Sequence, residues 1–128
     1  MVEHELLMLA IEERFPDLVH GRDYWVGHPL DPKTGLHSGD AFIAEWKCAT
    51  KQPNIARLLA RAEELRPVLT AEKTRARRDS LLAASDWTQA PDVPPGIREK
   101  WTAYRSALRD LPNQPGFPMD VEWPASPT

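Results

Sequence analysis

Proline is the residue that most limits what this chain can build, because each one removes a backbone donor and fixes φ near −65°. Thirteen occur in 128 residues, and eight of them fall between Pro91 and Pro127. The C-terminal third therefore cannot supply a full backbone hydrogen-bond ladder, and any regular element there must fit between prolines. One stretch does fit. In "IREKWTAYRSALRDL", Ile97, Trp101, Tyr104, Leu108 and Leu111 step by four, three, four and three, which predicts one apolar seam on a helix that packs against a partner helix. The preceding "TAEKTRARRDSLLAASDW" is rich in helix formers, with Thr70 as a potential N-cap and a thin stripe of Ala71, Thr74, Leu81 and Leu82. It needs a partner, and the seam supplies one.

Between them, "SDWTQAPDVPPG" is too proline-rich for a helix but can reverse the chain. Trp87, just past the first helix, is placed to cap the open end of the pair. Burial of its indole there would be worth a few kcal/mol at about 25 cal/mol per Å². The tail "PNQPGFPMDVEWPASPT" has five prolines in 17 residues, favouring polyproline II or an irregular extended form. It carries Phe117, Val121 and Trp123, which either fold back on the helical pair or dock onto another protein.

The N-terminal half is patterned differently. "VEHELLMLAIEERF" spaces Leu6, Leu7, Leu9, Ala10 and Phe15 as a helix with one broad buried side, ended by Pro16 and Asp17. "RDYWVGH" and "AFIAEWKC" read as strands, with Phe42, Ala44 and Trp46 alternating onto one face. The intervening "PLDPKTGLHSGD" predicts a long, mobile hairpin connection. A further helix begins near Pro53 or Asn54, places Ile55, Leu58, Leu59, Ala62 and Leu65 on one side, and is interrupted at Pro67. The expected architecture is α+β: a small α-β-β-α domain over 1–66, a helical hairpin over 67–111 and an extended Pro/aromatic tail over 112–128.

Charge and chemistry narrow the function. A net charge of −3 gives no general attraction to polyanions or anionic membranes. The segment Arg57 to Arg78 holds seven Lys/Arg against three Glu. It lacks interleaved aromatics and any recognition motif, so it reads as a solvated helix face before it reads as a nucleic-acid site. The single cysteine, Cys48, excludes an internal disulfide and fits a reducing compartment. No apolar run approaches the ~18 residues needed to span a bilayer. There is no phosphate loop, Cys-x-x-Cys, His-Glu-x-x-His or nucleophile elbow. His20, His28, His37 and Cys48 match no compact zinc pattern, and the carboxylates are spread over helix exteriors instead of converging. No enzyme activity, cofactor or metal is expected. The run Arg75, Arg77 and Arg78, and the pair Arg105 and Arg109 on the side of the helix beside the Trp101–Tyr104 seam, offer guanidinium forks to phosphate or carboxylate groups, or to salt-bridge partners at Asp79, Asp86 or Asp110.

Taken in order, "RRDSLLAASDWTQAPDVP", "KWTAYRSALRDLPNQPGFP" and "VEWPASP" resemble the C-terminal module of bacteriophage tail assembly chaperones, the tail fibre assembly proteins. The resemblance runs from about Thr74 to Pro127. "AIEERFPDL", "GRDYWV" and "FIAEWK" more loosely resemble the N-terminal domain of XkdW-type phage tail proteins, from which the long "GHPLDPKTGLHSGD" connection departs. The resemblance implies a non-enzymatic phage or prophage protein, in the cytoplasm of the bacterial host, that keeps a tail component soluble during virion assembly. The tail fibre is the expected client. Positions matching the chaperone motif are Arg78, Asp79, Leu82, Asp86, Trp87, Trp101, Tyr104, Arg105, Leu108, Arg109, Asp110, Phe117, Pro118, Trp123 and Pro124. Among these, Trp87, Trp101, Tyr104, Arg105, Leu108, Arg109, Phe117 and Trp123 are the candidate client-binding residues, with packing within the hairpin as the competing role. A phage tail protein is the expected partner, self-association is compatible with it, and neither membrane nor nucleic acid is expected. The alternatives are a structural adaptor retained in the tail and a nucleic-acid-binding or inhibitory phage protein.

Overall fold

A computed structural model describes residues 1–128. The fold is α+β, in the order α1 (His4–Arg14), β1 (Tyr24–Gly27), β2 (Phe42–Trp46), α2 (Ile55–Ala84), a 3-10 turn (Asp86–Gln89), α3 (Pro95–Arg109) and a second 3-10 turn (Leu111–Asn113). The chain divides into two units, Met1–Arg66 and Pro67–Thr128. No helix is long and apolar enough to cross a membrane.

In the first unit, α1 buries Leu6, Leu7, Ala10 and Ile11, pairs of adjacent residues one turn apart that form a single stripe on a 3.6-residue helix. The opening part of α2 answers with Leu58, Ala62 and Leu65. Asn54 starts that helix by accepting from the Arg57 N–H through its side chain at 3.1 Å, the usual work of an N-cap. Val2 is buried as well, held by its N–H donating to Asp40 at 2.7 Å and its carbonyl accepting from Ala41 at 2.8 Å. Tyr24 stacks on Trp46 with ring centroids 5.7 Å apart, and Phe15 meets Trp46 edge-on at 5.7 Å. Each such aromatic pair adds about 0.5–1.5 kcal/mol beyond its buried area. Burial, aided by the Glu12 and Asp23 carboxylates, pushes the Tyr24 phenol above its ordinary pKa.

The two strands pair antiparallel, but not with the alternation expected of Phe42, Ala44 and Trp46. Trp25 pairs with Glu45 and Val26 with Ile43, so Ala44 is an extra residue on β2. A bulge of this kind shifts the parity of everything beyond it. Ile43 and Trp46 therefore turn inward, while Phe42 and Ala44 are exposed. The connection between the strands is more organised than a free loop. Asp31 accepts from the Lys33 and Thr34 N–H groups at 2.7 and 3.3 Å, Ser38 donates to the Pro29 carbonyl at 2.9 Å, and Gly35 supplies the positive φ of 71° that closes the turn.

Pro67 does not interrupt the helix: α2 runs unbroken through it to Ala84. The proline forfeits only the bond to the Glu63 carbonyl, and the helix-favouring residues on both sides sustain the element. In the second unit the α3 seam is realised at its C-terminal end, where Tyr104, Leu108 and Leu111 are buried; Trp101 is half-buried and Ile97 is exposed. The contacts run antiparallel. Arg105 reaches Leu82 and Asp86, whereas Phe117 and Trp123 reach back to Arg75 and Arg77.

The first unit also carries exposed ion pairs, Arg61 with Glu13 and Glu64 and Arg66 with Glu3 and Glu63. Hydrogen bonds from Arg61, Arg22 and Arg66 hold the carboxyls of Glu13, Asp23 and Glu63, respectively, below their ordinary range. A carboxylate with a depressed folded pKa contributes stability that is present above its unfolded pKa and is lost as pH falls through the folded value. The urea midpoint of the first unit should therefore fall as pH is lowered from about 6 to about 3, and less steeply at about 0.5 M salt, because exposed pairs are screened. A midpoint independent of both pH and salt would show that these pairs add nothing.

Candidate protein-binding surface

The turn after α2 is built around one arginine. Nη1 of Arg105 donates to the Leu82 carbonyl and to Ser85 Oγ, both at 2.6 Å, and Nη2 donates to Asp86 Oδ1 at 2.8 Å. Leu82 lies in the last turn of α2, where its carbonyl also accepts from the Ser85 N–H at 3.2 Å, and the guanidinium adds a charged donor to that helix end. Ser85 completes the corner by donating to Leu81 and Leu82, and the buried Thr88 donates to the Ser85 carbonyl at 2.6 Å. Gln89 links onward to Thr102 of α3 at 3.0 Å. The "SDWTQ" and "YR" segments thus meet in space, and four of the five residues in the first are tied inward.

Trp87 is the exception. It does not cap the helical pair by burial; 60% of it is exposed, and its ring lies 6.0 Å from that of Trp101. Trp101 in turn meets Tyr104 edge-on at 5.6 Å. Beside them is a cleft of about 180 Å³ lined by Leu81, Ala84, Ser85, Trp101, Tyr104 and Ser126. Trp87 and Trp101 thus form an aromatic step at an apolar cleft, the residue type and setting that dominate binding hot spots.

The eight sequence candidates separate into three groups. Tyr104, Arg105 and Leu108 are buried and serve the interior: Arg105 is committed to the α2 corner, so its guanidinium is not free for a client carboxylate. Trp87, Trp101 and Arg109 are exposed or half-buried. Phe117 and Trp123 are half-buried and engaged by arginines of α2, Arg75 lying over Phe117 at 5.1 Å and Arg77 over Trp123 at 4.1 Å. The tail folds back within its own unit. Its turn depends on Gly116, where a Cβ would overlap the Asp120 carbonyl. Gln114 then reads the main chain of Glu122 twice, accepting from its N–H at 2.8 Å and donating to its carbonyl at 2.9 Å.

Sequence reasoning missed Gln114 and the role of Arg75 and Arg77 against the tail aromatics. The two arginines are legible as part of a run that could bind phosphate or carboxylate, but their pairing with aromatics 42 and 46 positions later leaves no periodic trace. A lone Gln among prolines gives no signal at all. Away from this surface, His28 and His37 approach with ring centroids 3.6 Å apart, yet no three His, Cys, Asp or Glu side chains are grouped to hold a metal ion.

Replacing Arg105 with Met should cost roughly 1–3 kcal/mol, because the charge-assisted hydrogen bonds that tie α3 to the α2 corner are lost. Trp87→Ala should cost less than about 1 kcal/mol. Urea unfolding followed by far-ultraviolet circular dichroism separates the two; equal costs would make Trp87 a packing residue.

Residues 71–128 match the family model described as phage tail assembly chaperone protein, and residues 7–68 match that described as XkdW protein. These spans take in the segments on which both resemblances rest. No curated protein and no solved structure matches the chain.

Proposed function

We propose that the protein is a phage tail assembly chaperone that acts by reversible binding, without catalysis, in the cytoplasm of the bacterial host, and that its client is the tail fibre. The observation that carries this reading is the Trp87–Trp101 step beside an apolar cleft, inside the part of the chain that matches the chaperone family. An unassembled fibre subunit exposes apolar surface and unpaired strand edges until it trimerises. A partner with protruding indoles can cover such surface and then release it, because the area involved is small and the contact is made by a few side chains.

The indoles need support from behind, and the corner at Arg105 supplies it. Since Ser85, Asp86 and Thr88 are bonded inward, the backbone on both sides of Trp87 is fixed and its ring is held out at low entropic cost. Arg109, exposed one turn beyond Arg105, offers a guanidinium fork to a client carboxylate at the rim.

Co-expression of the phage's tail fibre protein with this chain should keep the fibre soluble, and the two should co-purify. Trp87→Ala and Trp101→Ala should each weaken the complex by about 2 kcal/mol, roughly thirty-fold, and return fibre to the insoluble fraction. A fibre that is equally soluble with and without the chain would overturn the assignment of client.

A further inference from the structure

The cleft beside Trp101 already has an occupant of a kind. Ser126, from the last eight residues of the chain, forms part of its lining. This segment has no helix or strand, and none of its residues is hydrogen-bonded to the backbone of another element. Besides packing, two specific contacts hold it: the Gln114 side chain pairs with the Glu122 main chain, and Trp123 stacks on Arg77. Pro124 and Pro127 are half-buried behind it, and prolines keep such a segment extended without internal bonds. Contacts of this number and type place the segment at the low end of local stability.

We propose that residues 121–128 are a displaceable strap over the aromatic cleft, and that the partner segment which replaces them is itself extended, with an aromatic residue followed by proline. The inference rests on the binding reading above and specifies the chemistry of what binds. Gln114 recognises any extended residue through its main chain, Arg77 takes an aromatic face, and the residues that follow run on to the Trp101–Tyr104 cleft, which Ser126 lines. Aromatic grooves of this sort receive proline-rich segments because little conformational entropy remains to be lost. The chain's own tail meets these conditions with the Glu122 main chain, the Trp123 ring and Ser126 at the cleft, which is why it serves as the resident copy.

A labelled peptide carrying the strap sequence VEWPASPT tests this on the full-length protein without any phage partner. The tethered strap competes at millimolar effective concentration, so wild type should bind the added peptide weakly. Trp123→Ala loosens the strap while leaving the cleft intact, and should tighten peptide binding at least about ten-fold, in line with the freed fraction. Glu122→Pro removes the N–H that Gln114 accepts, leaves the aromatic packing in place and should act in the same direction. Arg77→Ala, which damages strap and receptor alike, should give no such gain. Peptide binding that is unchanged in both strap variants, or matched by a scrambled peptide of the same composition, would overturn the proposal. So would a wild-type dimer that the peptide splits into monomers, since the strap would then belong to a second copy. Failure here leaves the tail fibre experiment untouched, and a negative fibre result leaves the peptide measurement meaningful.

Discussion

The buried guanidinium of Arg105 is the interaction on which the second unit depends. One side chain from α3 meets the end of α2 at a carbonyl, a hydroxyl and a carboxylate, and a planar fork answers them from two separate nitrogens. Lysine at this position would offer its donors from a single nitrogen, without the second point from which Nη2 reaches Asp86. The pairing is lopsided in exposure, 8% for the arginine side chain against 69% for that of Asp86. The charge therefore keeps a partner that remains in contact with water, which limits the desolvation cost that makes fully interior ion pairs unfavourable.

The two units are stabilised by different means. The first relies on aliphatic residues of α1 and α2 and on three aromatic rings, Phe15, Tyr24 and Trp46, around a two-stranded sheet that would be marginal without that packing. Its ion pairs lie at the surface and contribute little each. The second unit has fewer buried aliphatic side chains and substitutes polar corners and arginine–aromatic stacking for them. A structure assembled this way can leave indoles at its surface without losing its core, because those rings are not what holds it together.

Much of this was legible in the residues, and the departures have physical causes. The four-three spacing of α3 identified Tyr104 and Leu108 as interior, since a helix turns its buried face through the same residues wherever it packs. It placed Ile97 and Trp101 on the seam as well, but periodicity cannot say where a partner helix ends; α2 stops at Ala84, and the face beyond is uncovered. Alternation along β2 failed at Ala44 because the bulge is created by pairing with β1, which no local pattern encodes. Pro67 was read as a break, whereas a long helix tolerates one missing bond. The position of Trp87 just past α2 suits either a cap on the helical pair or a client-binding side chain, and the polar residues on either side of it, each with its own bond to make, turn it outward.

The Gln114–Glu122 pair has a consequence for how this tail tolerates change. A carboxamide that binds both main-chain polar groups of one residue behaves like a neighbouring strand reduced to a single rung. It is blind to the Glu122 side chain, whose identity can drift freely so long as the residue is not an imino acid. Substitution is instead restricted at Gln114 itself: glutamate would lose the donor and set a negative charge against a carbonyl oxygen, although the two residues are nearly the same shape.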